Sequence, residues 1–403
     1  MVEPPKSRYT LTWISQIAEV PTAAWDALAL PLKTPFLEWA WLHNLEQSGS
    51  ASARTGWQPH HLTVWRDRNL VAAAPLYIKG HSFGEFVFDH QWADLAQRLG
   101  VEYYPKLVGM TPMTPAIGYR FLMAPDTDEA VVTELMVAEI DHFCSRHHLS
   151  GCHFLFVDPQ WRQFMEQHGF SSWLHHSYIW QNQGFHSFED YLAVFNSNQR
   201  RNIKRERKAL ETAGLHIQAL TGDAIPKPLF SQMYDFYADT CDKFGWWGSK
   251  YLTRAFFEQL AHDYRHRVVF FAAYPAPDSL QPMGLSFCLT KGDQLYGRYW
   301  GCSQELDSLH FNACYYSPIE WAIAQGVQLF DPGAGGRHKQ RRGFPATPNH
   351  SLHRFYHGRL TQILRSHLGE INQLEQQQIE TLNQELPFKA QPSTNTEISD
   401  QQG

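Results

Sequence analysis

Charge is scarce in this chain. Asp, Glu, Lys and Arg make up 18% of its 403 residues, below the usual quarter for globular proteins. Acids outnumber bases and leave a net charge of −6. That excludes a protein basic throughout that coats nucleic acid, though not a local basic patch. Cysteine is limited to Cys144, Cys152, Cys241, Cys288, Cys302 and Cys314, with no CxxC pair. Cysteines so scattered in a long chain make no disulfide framework and point to a reducing, cytoplasmic location. No apolar run reaches the roughly 18 residues of a membrane-spanning helix. The first residues, MVEPPKSRYTLTW, lack the apolar core and cleavage site of a signal peptide.

Familiar catalytic signatures are missing too. There is no GxSxG elbow, no GK[ST] ending to a phosphate loop and no GxGxxG, so covalent catalysis is not indicated. Cys144, His147, His148 and Cys152 lie close together in sequence. Cys144 and His148 fall on one expected helix, without a recognised ligand spacing, and no metal is expected.

What is present is a sizeable potential core: 43% hydrophobic residues and 14% aromatics. At roughly 150 residues per domain, the length suggests two or three domains. Strands and helices alternate, which predicts an α/β (α+β) fold. Strands are expected at 9–14, 61–65, 70–78, 83–88, 152–157 and 173–180, with helices at 22–30, 36–46, 129–147 and 161–168. The order then repeats: strands at 215–220, 268–274, 283–289, 294–299 and 327–330, helices at 229–241, 251–261 and 311–324, and a closing segment at 350–356. This doubling predicts two similar domains, 1–185 and 186–357. Leucines at three-to-four spacing predict an amphipathic C-terminal helix within 358–388, followed by a disordered tail, 389–403.

Four stretches carry the potential chemistry. NQRRNIKRERK (198–208) holds six cations and one acid. On a helix, Arg200, Arg201, Lys204 and Arg205 would form a surface for phosphates, whether of a donor or of RNA; a plain solvated face is the alternative. LYGRYWG (295–301) ends a strand. Simple alternation puts Tyr296, Arg298 and Trp300 on one face and Leu295, Gly297 and Tyr299 on the other, while its glycines mark close approach of a ligand or backbone. LHFNACYY (309–316) opens a helix with His310 and Asn312 near an anion-attracting N-terminus; Glu320 beyond it is a general base or a surface acid. DPGAGGRHKQRRGFPATP (331–348) sets Gly333, Gly335 and Gly336 against Arg337, His338, Lys339, Arg341 and Arg342. Glycines let amides curl round an anion, and the cations add charge. No acid occurs from 332 to 353. These cations must therefore be neutralised by distant segments or by an anionic ligand, and the ligand is the more economical source.

In this order, the four stretches resemble a bacterial family of predicted N-acyltransferases labelled peptidoglycan biosynthesis/recognition. That family is similar to the Fem aminoacyl ligases within the GNAT-like superfamily, and the resemblance spans about residues 25–356. It implies two tandem GNAT-like acyltransferase domains with mixed central sheets. It also implies transfer of an acyl or aminoacyl group to an amine acceptor, a cell-wall precursor or another small amine. The family often has glutamate at the position of Asn312, so this chain would use another base, and position 312 would shape the pocket. The [QR]xxGx[GA] motif of CoA-dependent relatives is absent from 301–309, while the 198–208 run suits an aminoacyl-tRNA. Acyl-CoA and aminoacyl-tRNA both stay open as co-substrates, with no tightly bound cofactor expected. His338 is the expected base or proton relay, assisted by Tyr299. Arg298, Trp300, His310, Asn312, Arg337, Lys339 and Arg342 are expected to bind substrate, with loop amides of Gly335 and Gly336 as donors. The alternative is a non-catalytic module recognising a phosphorylated ligand, a peptidoglycan precursor or RNA.

Overall fold

In a computed structural model describing residues 9–244 and 250–389, the first half of the chain runs as follows: β1 (Tyr9–Ile14), α1 (Thr22–Ala29), α2 (Trp39–Gln47), β2 (Gln58–Pro59), β3 (His61–Arg66), β4 (Asn69–Ala74), β5 (Tyr77–Lys79), α3 (His90–Arg98), β6 (Lys106–Gly109), β7 (Leu122–Met123), α4 (Glu129–Arg146), β8 (Gly151–Phe154), α5 (Pro159–Gln167) and β9 (Ser171–Tyr178). The second half opens with β10 (Trp180–Gln181), α6 (Phe188–Ala193), α7 (Ser197–Thr212), β11 (His216–Thr221), α8 (Pro228–Lys243) and α9 (Arg254–Asp263). It continues with β12 (Val268–Tyr274), β13 (Gly284–Lys291), β14 (Gln294–Cys302) and α10 (Leu309–Phe311), which passes through a π-helical turn at Asn312–Tyr316 into α11 (Ser317–Ala324). The last elements are β15 (Leu329–Asp331), β16 (Ala346–Phe355) and α12 (Gly358–Gln384). The expected tail beyond Lys389 lies outside the described residues. Among the described residues no helix is long and apolar enough to cross a membrane.

The elements start where the sequence supplies caps. Asp128 accepts from the Val131 amide at the start of α4, and Asn196 from the Gln199 amide at the start of α7, each satisfying a donor left free by the first helical turn. Gly169 and Gly326 follow helices with φ of 85° and 71°, the left-handed stop that glycine adopts cheaply.

Three sheets result, in the orders β1-β3-β4-β7, β2-β5-β6-β8-β16-β9 and β10-β15-β14-β13-β12-β11. Each half contains one parallel pair, β6 with β8 and β14 with β15. The closing strands are exchanged. β10 leaves the first half and pairs with β15 of the second, whereas β16 returns from the second half to lie between β8 and β9 of the first. The closing strand expected at 350–356 therefore completes the first half's sheet. α12 crosses both: Leu360, Leu364 and Leu368 pack with Trp92 and Phe355, and Ile379 and Leu382 join the cluster of Trp180, Phe195 and Phe344.

Two local expectations fail for backbone reasons. The run 70–78 is two strands, broken around Pro75, which has no N–H for a ladder. Residues 83–88 form a loop, because Gly84 and Phe86 hold φ of 80° and 56°, values no strand accommodates. That loop is fastened from below. Lys106, fully buried on β6, donates to Glu85 at 2.8 Å, Asp89 at 2.6 Å and Ser82 at 2.9 Å. Removing the ammonium leaves two carboxylates in a dry site with only the more distant Lys79 as counter-ion. Lys106→Met should lower unfolding free energy by about 3–5 kcal/mol in urea titrations. Adding Glu85→Gln and Asp89→Asn should restore part of the loss.

Candidate functional site

β14 and β15 run together only from Gln294–Tyr296 against Leu329–Asp331. Beyond this they part, and Gly297–Trp300 face a cavity of about 410 Å³ instead of a strand. A bulge shapes the opening. On β13, Phe287 faces Tyr299 and Cys288 faces Gly297, so Arg298 is the extra residue. A bulge shifts the alternation by one. Tyr296 and Tyr299 consequently share one face and Leu295, Gly297 and Trp300 the other, which corrects the expected grouping of Tyr296 with Arg298 and Trp300. Gly301 marks a backbone approach: a Cβ there would stand 2.2 Å from the Phe236 carbonyl oxygen on α8.

Arg298 is turned onto the neighbouring strand. Its guanidinium meets both oxygens of Asp331 at 3.3 and 3.4 Å, donates to the Gly297 carbonyl at 2.6 Å and lies 4.8 Å over the Phe36 ring. Asp331 also accepts from the Gly333 amide at 2.8 Å. Gly333 has φ of 91°, and a Cβ there would meet the Gly297 carbonyl oxygen at 3.0 Å, so only glycine lets the chain leave β15 this tightly. Lys339 comes back under the loop, buried, donating to the Gly333 and Ala334 carbonyls at 2.7 and 3.0 Å. Burial, more than the opposing pull of Asp331, lowers its pKa to about 8.

His310, Tyr299, Trp300 and His338 complete the polar edge of this cavity, and Phe86 and Met113 reach it from the first half. The Tyr299 hydroxyl lies 3.5 Å from the Met113 carbonyl oxygen, at the limit of a hydrogen bond, so it can turn to a ligand. Burial raises its pKa and keeps it protonated. His338 Nε2 is 2.8 Å from the Tyr315 hydroxyl. Burial, then Lys339 and Arg342, lower its pKa to about 4; burial, then His338, do the same for His310. Both imidazoles are neutral at pH 7.

A second, polar cavity of about 840 Å³ opens on the other side of His338, lined by Arg205 and Asn202 of α7 and by Arg337, Arg341 and Arg342. Here the expected economy of an anionic ligand is overturned. Glu206 takes Arg342 at 2.9 Å, and Glu385 takes Arg337. Both acids come from segments remote in sequence that the fold brings alongside. Arg342 also stacks 3.4 Å from the Phe311 ring centre. Arg201 and Arg205 are exposed without an ion pair among the described residues, while Lys204 reaches Glu189 at 3.5 Å and Arg200 donates to the Phe195 carbonyl. Only Arg205 of the four reaches this cavity. Asn312 lines neither cavity: its amide donates to the Glu206 and Ser308 carbonyls at 3.0 and 2.9 Å and ties α7 to α10. Gly335 and Gly336 also lie outside both linings. Glu320 pairs with Arg207 on the surface at 2.7 Å. The sequence reading missed Phe86, Met113 and Tyr237 of α8 as cavity walls; only the packing of the halves reveals them.

The FemAB-like family model, described as peptidoglycan biosynthesis/recognition, matches residues 16–390. No curated protein matches. A conserved protein of unknown function from Bacteroides thetaiotaomicron aligns with a TM-score of 0.50 at 12% identity, over 85% of this chain and 99% of its own. FemX aligns with a TM-score of 0.49 at 11% identity, over 88% and 99%. L-PGS from Bacillus licheniformis aligns with a TM-score of 0.47 at 10% identity, over 84% and 97%. The expected mixed α/β fold is the observed one.

The depressed imidazoles set a pH dependence. An unfolded histidine titrates near 6.5, whereas folded His338 and His310 resist protons to about 4. Their contribution is complete above pH 6.5 and is lost as pH falls through that window, because the unfolded chain binds protons first. Stability should therefore decline between pH 6.5 and 4 in denaturant titrations, less steeply in His338→Gln, and NMR should place the His338 midpoint near 4.

Proposed function

The chain belongs to the FemAB-like family, and from that premise we propose that it is an N-acyltransferase moving an acyl or aminoacyl group from a phosphorylated donor to an amine, with a cell-wall precursor as acceptor. The observation that carries this reading is the cavity where β14 parts from β15. It sets a bulged strand, a buried cation pair, a protonated phenol and two neutral imidazoles around one space. Acyl transfer to an amine asks for those parts: donors for the oxygen that becomes negative and a group to receive the nitrogen's proton.

In this reading the amine nitrogen adds to the ester or thioester carbonyl, the C–N bond forms, the C–O or C–S bond breaks, and the leaving oxygen or sulfur takes the proton that the nitrogen gives up. The Tyr299 hydroxyl and the Lys339 ammonium face the oxygen, His338 receives the proton, and Tyr315 orients its ring. The donor's phosphates would lie in the polar cavity against Arg205 and Arg341, whose charge no acid among the described residues pairs off. Either acyl-CoA or aminoacyl-tRNA supplies such phosphates.

Purified protein is incubated with labelled acyl-CoA or aminoacyl-tRNA and a nucleotide-linked muropeptide. Label should appear in an amide of the acceptor, over many turnovers. His338→Gln should lower kcat by about 10²–10⁴-fold with the melting temperature retained. Stoichiometric binding without turnover for every donor would instead identify a recognition module. Arg205→Ala with Arg341→Ala should weaken donor binding more at low salt than at high salt, since exposed charges act through a screened field.

A further inference from the structure

The floor of the apolar cavity does not balance in charge. Arg298 and Lys339 are both buried cations, and Asp331 is the one carboxylate bonded to Arg298. The Lys339 ammonium spends two of its three protons on the Gly333 and Ala334 carbonyls. Arg298 Nε has no acceptor among the described residues. Above this floor the walls are Phe86, Met113, Tyr237, Phe244 and Trp300, and among the described residues no Asp or Glu lines the cavity.

We infer that this cavity selects acyl groups that are apolar and carry no positive charge, with their carbonyl end at the Arg298–Lys339 floor. The inference rests on the transferase reading for its biological meaning and narrows the substrate class within it. A basic side chain entering here would lose its water, find no counter-ion and face two like charges, each of which raises its free energy. An apolar chain is favoured by burial against the aromatic walls. The carbonyl oxygen, which becomes negative as the nitrogen adds, meets the surplus positive charge.

Octanoate, 1-octanol and octylammonium share one chain and differ in head charge, so calorimetric titration of the full-length protein reads the preference without any donor. Octanoate should bind at least about tenfold more tightly than octylammonium, with octanol between them. Lys339→Met should bring octanoate to the level of octanol. Met113→Glu should reverse the order of the two ions. If that variant fails to fold, Phe244→Glu, at an exposed position of the mouth, should narrow the difference. The inference falls if octylammonium binds as well as octanoate, if none of the three binds, or if the order ignores the introduced carboxylates. Nα-acetylleucyl-tRNA and Nα-acetyllysyl-tRNA, which differ in side-chain charge near the floor, and octanoyl-CoA then separate the two readings. Acetyllysyl transfer as fast as acetylleucyl sinks the selectivity and keeps the transferase. The expected probe order with no transfer from any donor keeps the selectivity and sinks the transferase.

Discussion

The parting of β14 from β15 after three paired residues is the constraint on which the site depends. A continued ladder would fill the space with backbone. Two features prevent it. The bulge at Arg298 turns the guanidinium across to Asp331, and Pro332 followed by Gly333 takes the chain off β15 in a conformation closed to other residues. Asp331 accepts from Arg298 and from the Gly333 amide, so one carboxylate fixes both the strand that stays and the loop that leaves. The pair is almost wholly removed from water, and such pairs contribute more to a unique geometry than to stability. Here the geometry they specify is an opening.

The opening is useful only because the first half closes it. Phe86 and Met113 reach across from loops with left-handed backbone, and the loop carrying Phe86 is held by the buried Lys106, Glu85 and Asp89 cluster. The exchange of β10 and β16 makes the two halves one sheet-bearing body, since each supplies the strand beside the other's parallel pair. α12 packs onto both. A site walled by two units needs their relative position fixed, and the strand exchange fixes it with main-chain hydrogen bonds.

Much of this was legible in the residues. The glycine-rich exit from the strand at 331 and the LYGRYWG strand are legible as elements, whereas the helix over the charge run, α7, is not among the expected ones; His310, Arg298, Tyr299, Trp300, Gly333, Lys339 and His338 do line one cavity. What stayed hidden depended on distance along the chain. Nothing local to 337–342 shows that Glu206 and Glu385 will meet its arginines. Strict alternation misassigned β14 because a single bulged residue leaves no composition signal. Asn312 looked like a helix-start ligand, yet it serves to tie two helices. The closing strand was found by its pattern, but which sheet it joins is a matter of topology.

His338 stands where the two cavities meet, and its environment limits how it can act in the proposed transfer. With its pKa lowered to about 4, it is too weak a base to strip a free ammonium before attack. The amine must arrive neutral. Once it has added to the carbonyl, the nitrogen becomes cationic and far more acidic, and a neutral imidazole is then a sufficient acceptor. Burial, and then Lys339 and Arg342, depress the ring's proton affinity and so ensure that the imidazolium does not persist. The ring then passes the proton to the leaving oxygen or sulfur on the side of the polar cavity, where the donor's phosphates would lie, and returns to its neutral state. A weak base between a dry space and a wet one acts as a relay, and the cations beside it set the direction of transfer.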